Sequence, residues 1–95
     1  MKTIYLDCRG VKSIDDFWRL YVDVMRVQTA SGFGRNLDAF WDAVEGGGPG
    51  SPGEAKLVFE NSASLVPLQL ANGTSFLAAL QLFATQTTHV EMVFA

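Results

Sequence analysis

Three carboxylates and an indole share one short stretch of the chain: Asp38, Trp41, Asp42 and Glu45 within "NLDAFWDAVE". On a helical wheel at about 100° per residue, Leu37, Phe40 and Val44 recur at steps of three and four and must face inward. Asp38, Asp42 and Glu45 then share the opposite flank, with Trp41 at the border between the two faces. The ordinary account of such a flank is solvation, with Asp38 also favoured by the positive end of the helix dipole. Two details weigh against that account. Like charges at i and i+4 repel by roughly a few tenths of a kcal/mol, and Asp38 and Asp42 have no basic neighbour on the helix, so a compensating charge from outside is expected. Tryptophan is also the residue type most enriched at the energetic centres of protein interfaces. The chemistry these residues suit is recognition of a cationic surface.

Residues that could carry catalysis are scattered. His89 is the only histidine and stands beside a strand pattern with no second His or Cys in spacing with it. Cys8, the only cysteine, closes a strand pattern and reads as a small buried residue rather than a nucleophile. One helix face carrying Asp38, Asp42 and Glu45 supplies too few oxygens for a dedicated divalent-cation site. The run "GGGPG" lacks the Lys and Ser/Thr of a phosphate loop and does not open a helix directly. No enzyme, no metal and no cofactor is expected.

The acidic helix must be positioned by the elements around it. Thr3–Cys8 reads as a strand, with a turn at Arg9-Gly10. Ser13 and Asp16 form a capping-box variant at the start of a helix running to about Arg26, its buried stripe drawn from Ile14, Phe17, Leu20, Tyr21 and Val24. Gln28–Gly34 is a loop, and Asn36 caps the acidic helix, which ends before Gly46. Gly46–Gly53 holds only Gly, Pro and Ser and reads as a flexible loop. "KLVFE" at Lys56–Glu60 has an apolar centre suited to a strand buried on both faces. Asn61 or Ser62 caps a short helix that Pro67 interrupts or ends, Asn72-Gly73 turns, and Thr74 caps a last helix with Phe76, Leu77, Leu80, Phe83 and Ala84 inward. His89–Ala95 is a closing strand. Strands separated by helices imply crossovers between parallel strands, hence an α/β fold with helices packed on a three-stranded sheet.

Bulk properties bound the partner. Ninety-five residues, 48% of them hydrophobic, make one domain spanning 1–95 with a real core but no room for an elaborate catalytic cavity. A net charge of -3 gives no electrostatic reason to approach nucleic acid and favours a basic partner. A single cysteine and the lack of a leader pattern favour the cytoplasm, and no apolar run approaches the roughly 20 residues of a membrane span.

"NLDAFWDAV" after an aromatic-Gly-x step, "VKSIDDF" at the first helix and "NGTSFLAAL" at the last together resemble the barstar family of bacterial intracellular ribonuclease inhibitors, in order and over most of the chain. The resemblance implies a three-stranded parallel sheet with about four helices, taken as a three-layer α/β sandwich. It also implies an immunity function: the second helix and the loop before it plug the active site of a cognate secreted ribonuclease, the acidic face standing in for RNA phosphate. Asp42 matches the family's chief anionic contact, Asp38 a second, Trp41 a packing residue and Gly46 a backbone contact. Phe33 is the apolar contact of the preceding loop and Glu45 lies at the rim. The inhibitor is expected to be a monomer alone and to form a 1:1 complex.

Three departures bear on the partner. Gly32-Phe33 replaces paired aromatics, and Gly47-Gly48-Pro49-Gly50 replaces a loop bearing an aromatic. Leu82, with Ser75, Ala78 and Thr85 on the outer face of the last helix, stands where the family has an acidic contact. No Asp, Glu, Lys or Arg occurs between Asn61 and Val90. These features point to a ribonuclease or nuclease toxin with a less basic rim. The rival expectation is an interaction or regulatory module on the same fold, with Leu82 and the neutral helix as its docking face and no nuclease partner.

Overall fold

Alternation of apolar and polar residues at Lys2–Asp7, Ala55–Glu60 and Val90–Phe94 produces three strands, β1, β2 and β3. They form one parallel sheet in the order β1-β2-β3 in the computed structural model, which describes residues 2–25, 34–48 and 51–95. Ile4 pairs with Leu57 and Leu57 with Met92; Leu6 pairs with Phe59 and Phe59 with Phe94. Residues paired across a ladder share a face, so these side chains, with Ala55 and Val90, line the inner surface. Leu6, Ala55, Leu57 and Phe59 are fully buried there.

The opposite face is open. Thr3, Tyr5, Asp7 and Glu91 are exposed, Tyr5 by 59%, while Lys56, Val58, Glu60 and Val93 are half-buried. Among the described residues the helices cover only the inner face, so the expected three-layer sandwich is a two-layer one, and β2 is fully buried on one face, not both. Lys56 and Glu60 explain this: a second helical layer would strip water from both charges without offering them partners.

Three α-helices appear among the described residues: α1 (Ile14–Met25), α2 (Leu37–Gly46) and α3 (Phe76–Gln86). The expected fourth is a short 3-10 turn, Ser62–Leu65, which stops before Pro67 as the proline requires. At the head of α1 the Asp16 N–H donates to Ser13 Oγ at 3.1 Å and the Lys12 N–H donates to Asp16 Oδ2 at 3.1 Å. Its buried arc centres on Tyr21, with Phe17 and Trp18 on either side. Trp18 therefore joins the core, unanticipated by the sequence reading, and Val24 falls to the edge at 36% exposure. The large indole takes the arc that an alternative tilt would have given to Val24. The cap of α3 is Ser75, not Thr74: Ser75 Oγ accepts from the Ala78 N–H at 3.2 Å, whereas Thr74 is tied into the preceding turn by its N–H to Asn72 Oδ1 and its carbonyl to the Leu70 N–H. Strand and helix ends otherwise shift by a residue or two from the sequence boundaries.

The core is built largely from rings. Phe94, Phe59, Phe17, Trp18, Phe40, Phe83 and Trp41 form a continuous series from β3 through the sheet and α1 to α2 and α3, successive centroids 5.0 to 6.2 Å apart. Such pairs contribute about 0.5–1.5 kcal/mol each beyond the area they bury. This series fixes α2 against the rest of the fold at Phe40, which is fully buried between Trp18, Tyr21 and Phe83. Among the described residues no helix is long and apolar enough to cross a membrane.

Candidate protein-binding site

Local chemistry sets both ends of α2. Asn36 adopts an extended backbone, and its Oδ1 accepts the Ala39 N–H at 2.8 Å, satisfying a donor that the first helical turn leaves free. Its Nδ2 donates to the Gly34 carbonyl at 3.1 Å, which binds the cap to the incoming chain. Arg35, just before the cap, has φ 52, an uncommon left-handed conformation for a non-glycine residue. At the other end Gly46 is the last helical residue rather than the first loop residue, and Gly47 takes the left-handed cap at φ 71. The Gly48 N–H donates to the Asp42 carbonyl at 3.1 Å, the six-to-one bond of a Schellman ending.

Between these ends Phe40, Ala43 and Val44 are buried, so the flank bearing Asp38 and Asp42 must face water. Both carboxylates are exposed. Among the described residues neither forms a salt bridge: Arg19 is engaged with Asp15 at 3.0 Å and Asp16 at 3.5 Å on α1. The face is rigid, acidic and uncompensated within the described chain, in a helix with no basic residue in its last turn. Trp41 is half-buried, its ring 5.0 Å from that of Phe83 and tilted 47° to it. The indole thus spans the seam between α2 and α3 and shows only part of its surface.

Glu45 sits differently from the two aspartates. The Thr88 N–H donates to its Oε1 at 2.9 Å, and the Thr88 hydroxyl approaches Oε1 at 3.1 Å and Oε2 at 3.0 Å. One turn beyond Trp41, it follows the indole towards α3 and fastens α2 to the turn that leads into β3. The Thr88 N–H holds its carboxyl below the usual glutamate range, aided by the Thr88 hydroxyl and His89 and opposed by partial desolvation. A carboxyl depressed in the folded state stabilises fully above its unfolded value and loses that contribution as pH falls through the folded one. Glu45→Gln is therefore expected to lower stability at neutral pH and to flatten its decline on acidification. Thermal unfolding followed from about pH 6 to about pH 3 checks this; parallel curves for the two proteins would refute it. Asp7 acts in the same direction and retains part of the slope, its carboxyl lowered chiefly by the Arg9 N–H and then by Asn61.

Leu82 lies exposed on α3 at 55%, with Ala78 and Thr85 also exposed and Ser75 half-buried. Phe33 lies outside the described residues. In the glycine-proline loop, Gly48 and Ser51 are joined by a backbone bond of 3.1 Å and Ser51 Oγ accepts from the Gly53 N–H, so the described part is hydrogen-bonded; Pro49 and Gly50 lie outside it. Sequence reasoning missed two features near the face. One is the Thr88 anchor on Glu45, for which no local pattern exists because the two residues are 43 positions apart. The other is an open cavity of about 430 Å³ beside the start of α2, with Ile14, Trp18, Leu70 and Phe76 among its walls and Arg35 and Asp38 also lining it. Trp18 was its one available signal, a second aromatic next to Phe17.

Elsewhere the chemistry is quiet. Cys8 is fully buried, its thiol pushed up to about 11 by burial and by the neighbouring Asp7 charge, far from the nucleophilic thiolate form. Among the described residues no three His, Cys, Asp or Glu side chains gather to hold a metal ion.

A family profile described as Barstar (barnase inhibitor) matches residues 1–94. No individual curated protein matches the chain. The parallel three-stranded sheet, the capped acidic helix in its first crossover and a profile match over essentially the whole length place the protein: it belongs to the barstar family, whose members are inhibitors rather than enzymes.

Proposed function

We propose that this protein is a cytoplasmic immunity protein that occludes the active site of a cognate secreted ribonuclease, one protein to one enzyme. The observation that carries the reading is the pair of exposed, uncompensated carboxylates, Asp38 and Asp42, on a helix whose other face is locked into the core. An RNA-cleaving site gathers cationic groups around the scissile phosphate, and a prefolded acidic helix meets them with little ordering cost. Asp42 is the central anion and Asp38 the second. Trp41 packs at the edge of the contact, Gly46 offers backbone, and Phe33, outside the described residues, adds an apolar contact. Glu45, held by Thr88, braces the rim. Leu82 supplies an apolar contact from α3, which fits an enzyme whose rim is less basic at that point.

A secreted ribonuclease encoded beside this chain, mixed with it and assayed for RNA cleavage, tests the proposal. Inhibition at stoichiometric ratio is expected, with an association rate that falls as salt rises because the encounter is steered by charge. Full activity at saturating inhibitor with no detectable complex would refute it. Leu82, exposed at 55% on a helix without charge, favours a second reading, docking to a protein that is not a nuclease. In that case Leu82→Asp would abolish binding and Asp42→Ala would leave it unchanged.

A further inference from the structure

The two oxygens of Asp42 lie against two glycines. A Cβ at Gly46 would stand 2.9 Å from Oδ1, and a Cβ at Gly48 would collide with Oδ2. Gly47 between them has open space around the same position and a left-handed φ of 71. The backbone at Gly46 and Gly48 therefore lies this close to one side of the Asp42 carboxylate because neither residue carries a side chain. We infer that Gly48 is a positioning residue: its bare backbone seats the Asp42 carboxylate against the end of α2, and any side chain there displaces it.

Two features make Gly48 the telling position. Its backbone is not left-handed, so alanine adopts it without strain, and the obstructing atom is the tip of a rotatable side chain rather than backbone. The substitution keeps the N–H that donates to the Asp42 carbonyl. Gly48→Ala thus redirects one carboxylate while the fold stays intact. Gly47→Ala does the reverse, straining the cap with nothing near its methyl group. The consequence for binding rests on the proposed ribonuclease contact; the consequence for the Asp42 rotamer does not.

Three-bond couplings to the Asp42 carboxyl carbon, read by NMR on the free protein, report its χ1 rotamer. One dominant rotamer is expected in the wild type and in Gly47→Ala, and a changed or averaged one in Gly48→Ala with the melting temperature preserved. Couplings identical in wild type and Gly48→Ala would overturn the inference whether or not any enzyme binds. With the ribonuclease in hand, Gly48→Ala should weaken binding about tenfold in the wild-type background and hardly at all in Asp42→Ala, the coupling expected of residues in contact. Equal losses in the two backgrounds would overturn it. If the wild type forms no complex, the ribonuclease reading fails and the rotamer measurement alone decides the role of Gly48.

Discussion

Asp42→Ala is expected to weaken binding to the ribonuclease by about 2 to 5 kcal/mol, a range that rests partly on barnase and barstar themselves. That is roughly thirtyfold to several thousandfold in Kd. The size follows from what the substitution would leave behind: a phosphate-site cation of the proposed enzyme, stripped of water by the interface, would lose its central opposite charge. The loss should fall mainly on dissociation, while Asp38, near the helix start, contributes more to association and its salt dependence. Glu45→Ala is the control. With its carboxylate oxygens already accepting from Thr88 it has fewer free acceptor positions for an incoming cation, and the change should cost binding less than about 1 kcal/mol. Measured Kd values for the three alanine variants against one enzyme separate these outcomes. Equal and small losses at Asp38, Asp42 and Glu45 would mean that the face is merely solvated.

Phe40→Ala should destabilise the fold by about 3 to 5 kcal/mol. Phe40 is fully buried and its ring meets Trp18 at 5.8 Å, Tyr21 at 5.3 Å and Phe83 at 6.2 Å, so truncation opens a void in the middle of the aromatic series. Against a typical total of about 5 to 15 kcal/mol, this brings the protein close to its unfolding threshold. Urea titration should show a lower midpoint with an unchanged slope. Binding to the ribonuclease should weaken only where the variant is partly unfolded, since Phe40 faces away from the contact. A loss of stability below about 1 kcal/mol would mean that α2 is anchored elsewhere.

Much of this was legible in residue order because the signals are local. Asn36 before an apolar-periodic run announced the start of α2, and steps of three and four separated Phe40 and Val44 from Asp38 and Asp42 without reference to the rest of the chain. The parallel pairing of three strands followed from their separation by helices, whereas their order in the sheet came only with the structure. What escaped was decided at a distance. Thr88 captures Glu45 across 43 positions, and nothing near Glu45 signals it. Trp18 displaced Val24 from the buried arc because ring packing with Phe40 and Phe76, residues of two other helices, set the rotation of α1. The third layer was implied by the family resemblance, and charges at Lys56, Glu60 and Glu91 on the outer face speak against it only once the register aligns them. The fit of Gly46 and Gly48 around Asp42 needs coordinates, since glycine-rich runs alone read as loop.

The order β1-β2-β3 places α2 in the connection between the first two strands. Its ten residues are too few to hold a helix in isolation, where the first turn costs more than it returns. They are held by tertiary contacts, Phe40 against rings of α1 and α3, within a crossover whose flanking strands, Lys2–Asp7 and Ala55–Glu60, close about half the sequence. A synthetic peptide copying Leu37–Gly46 would accordingly bring the right side chains without their arrangement.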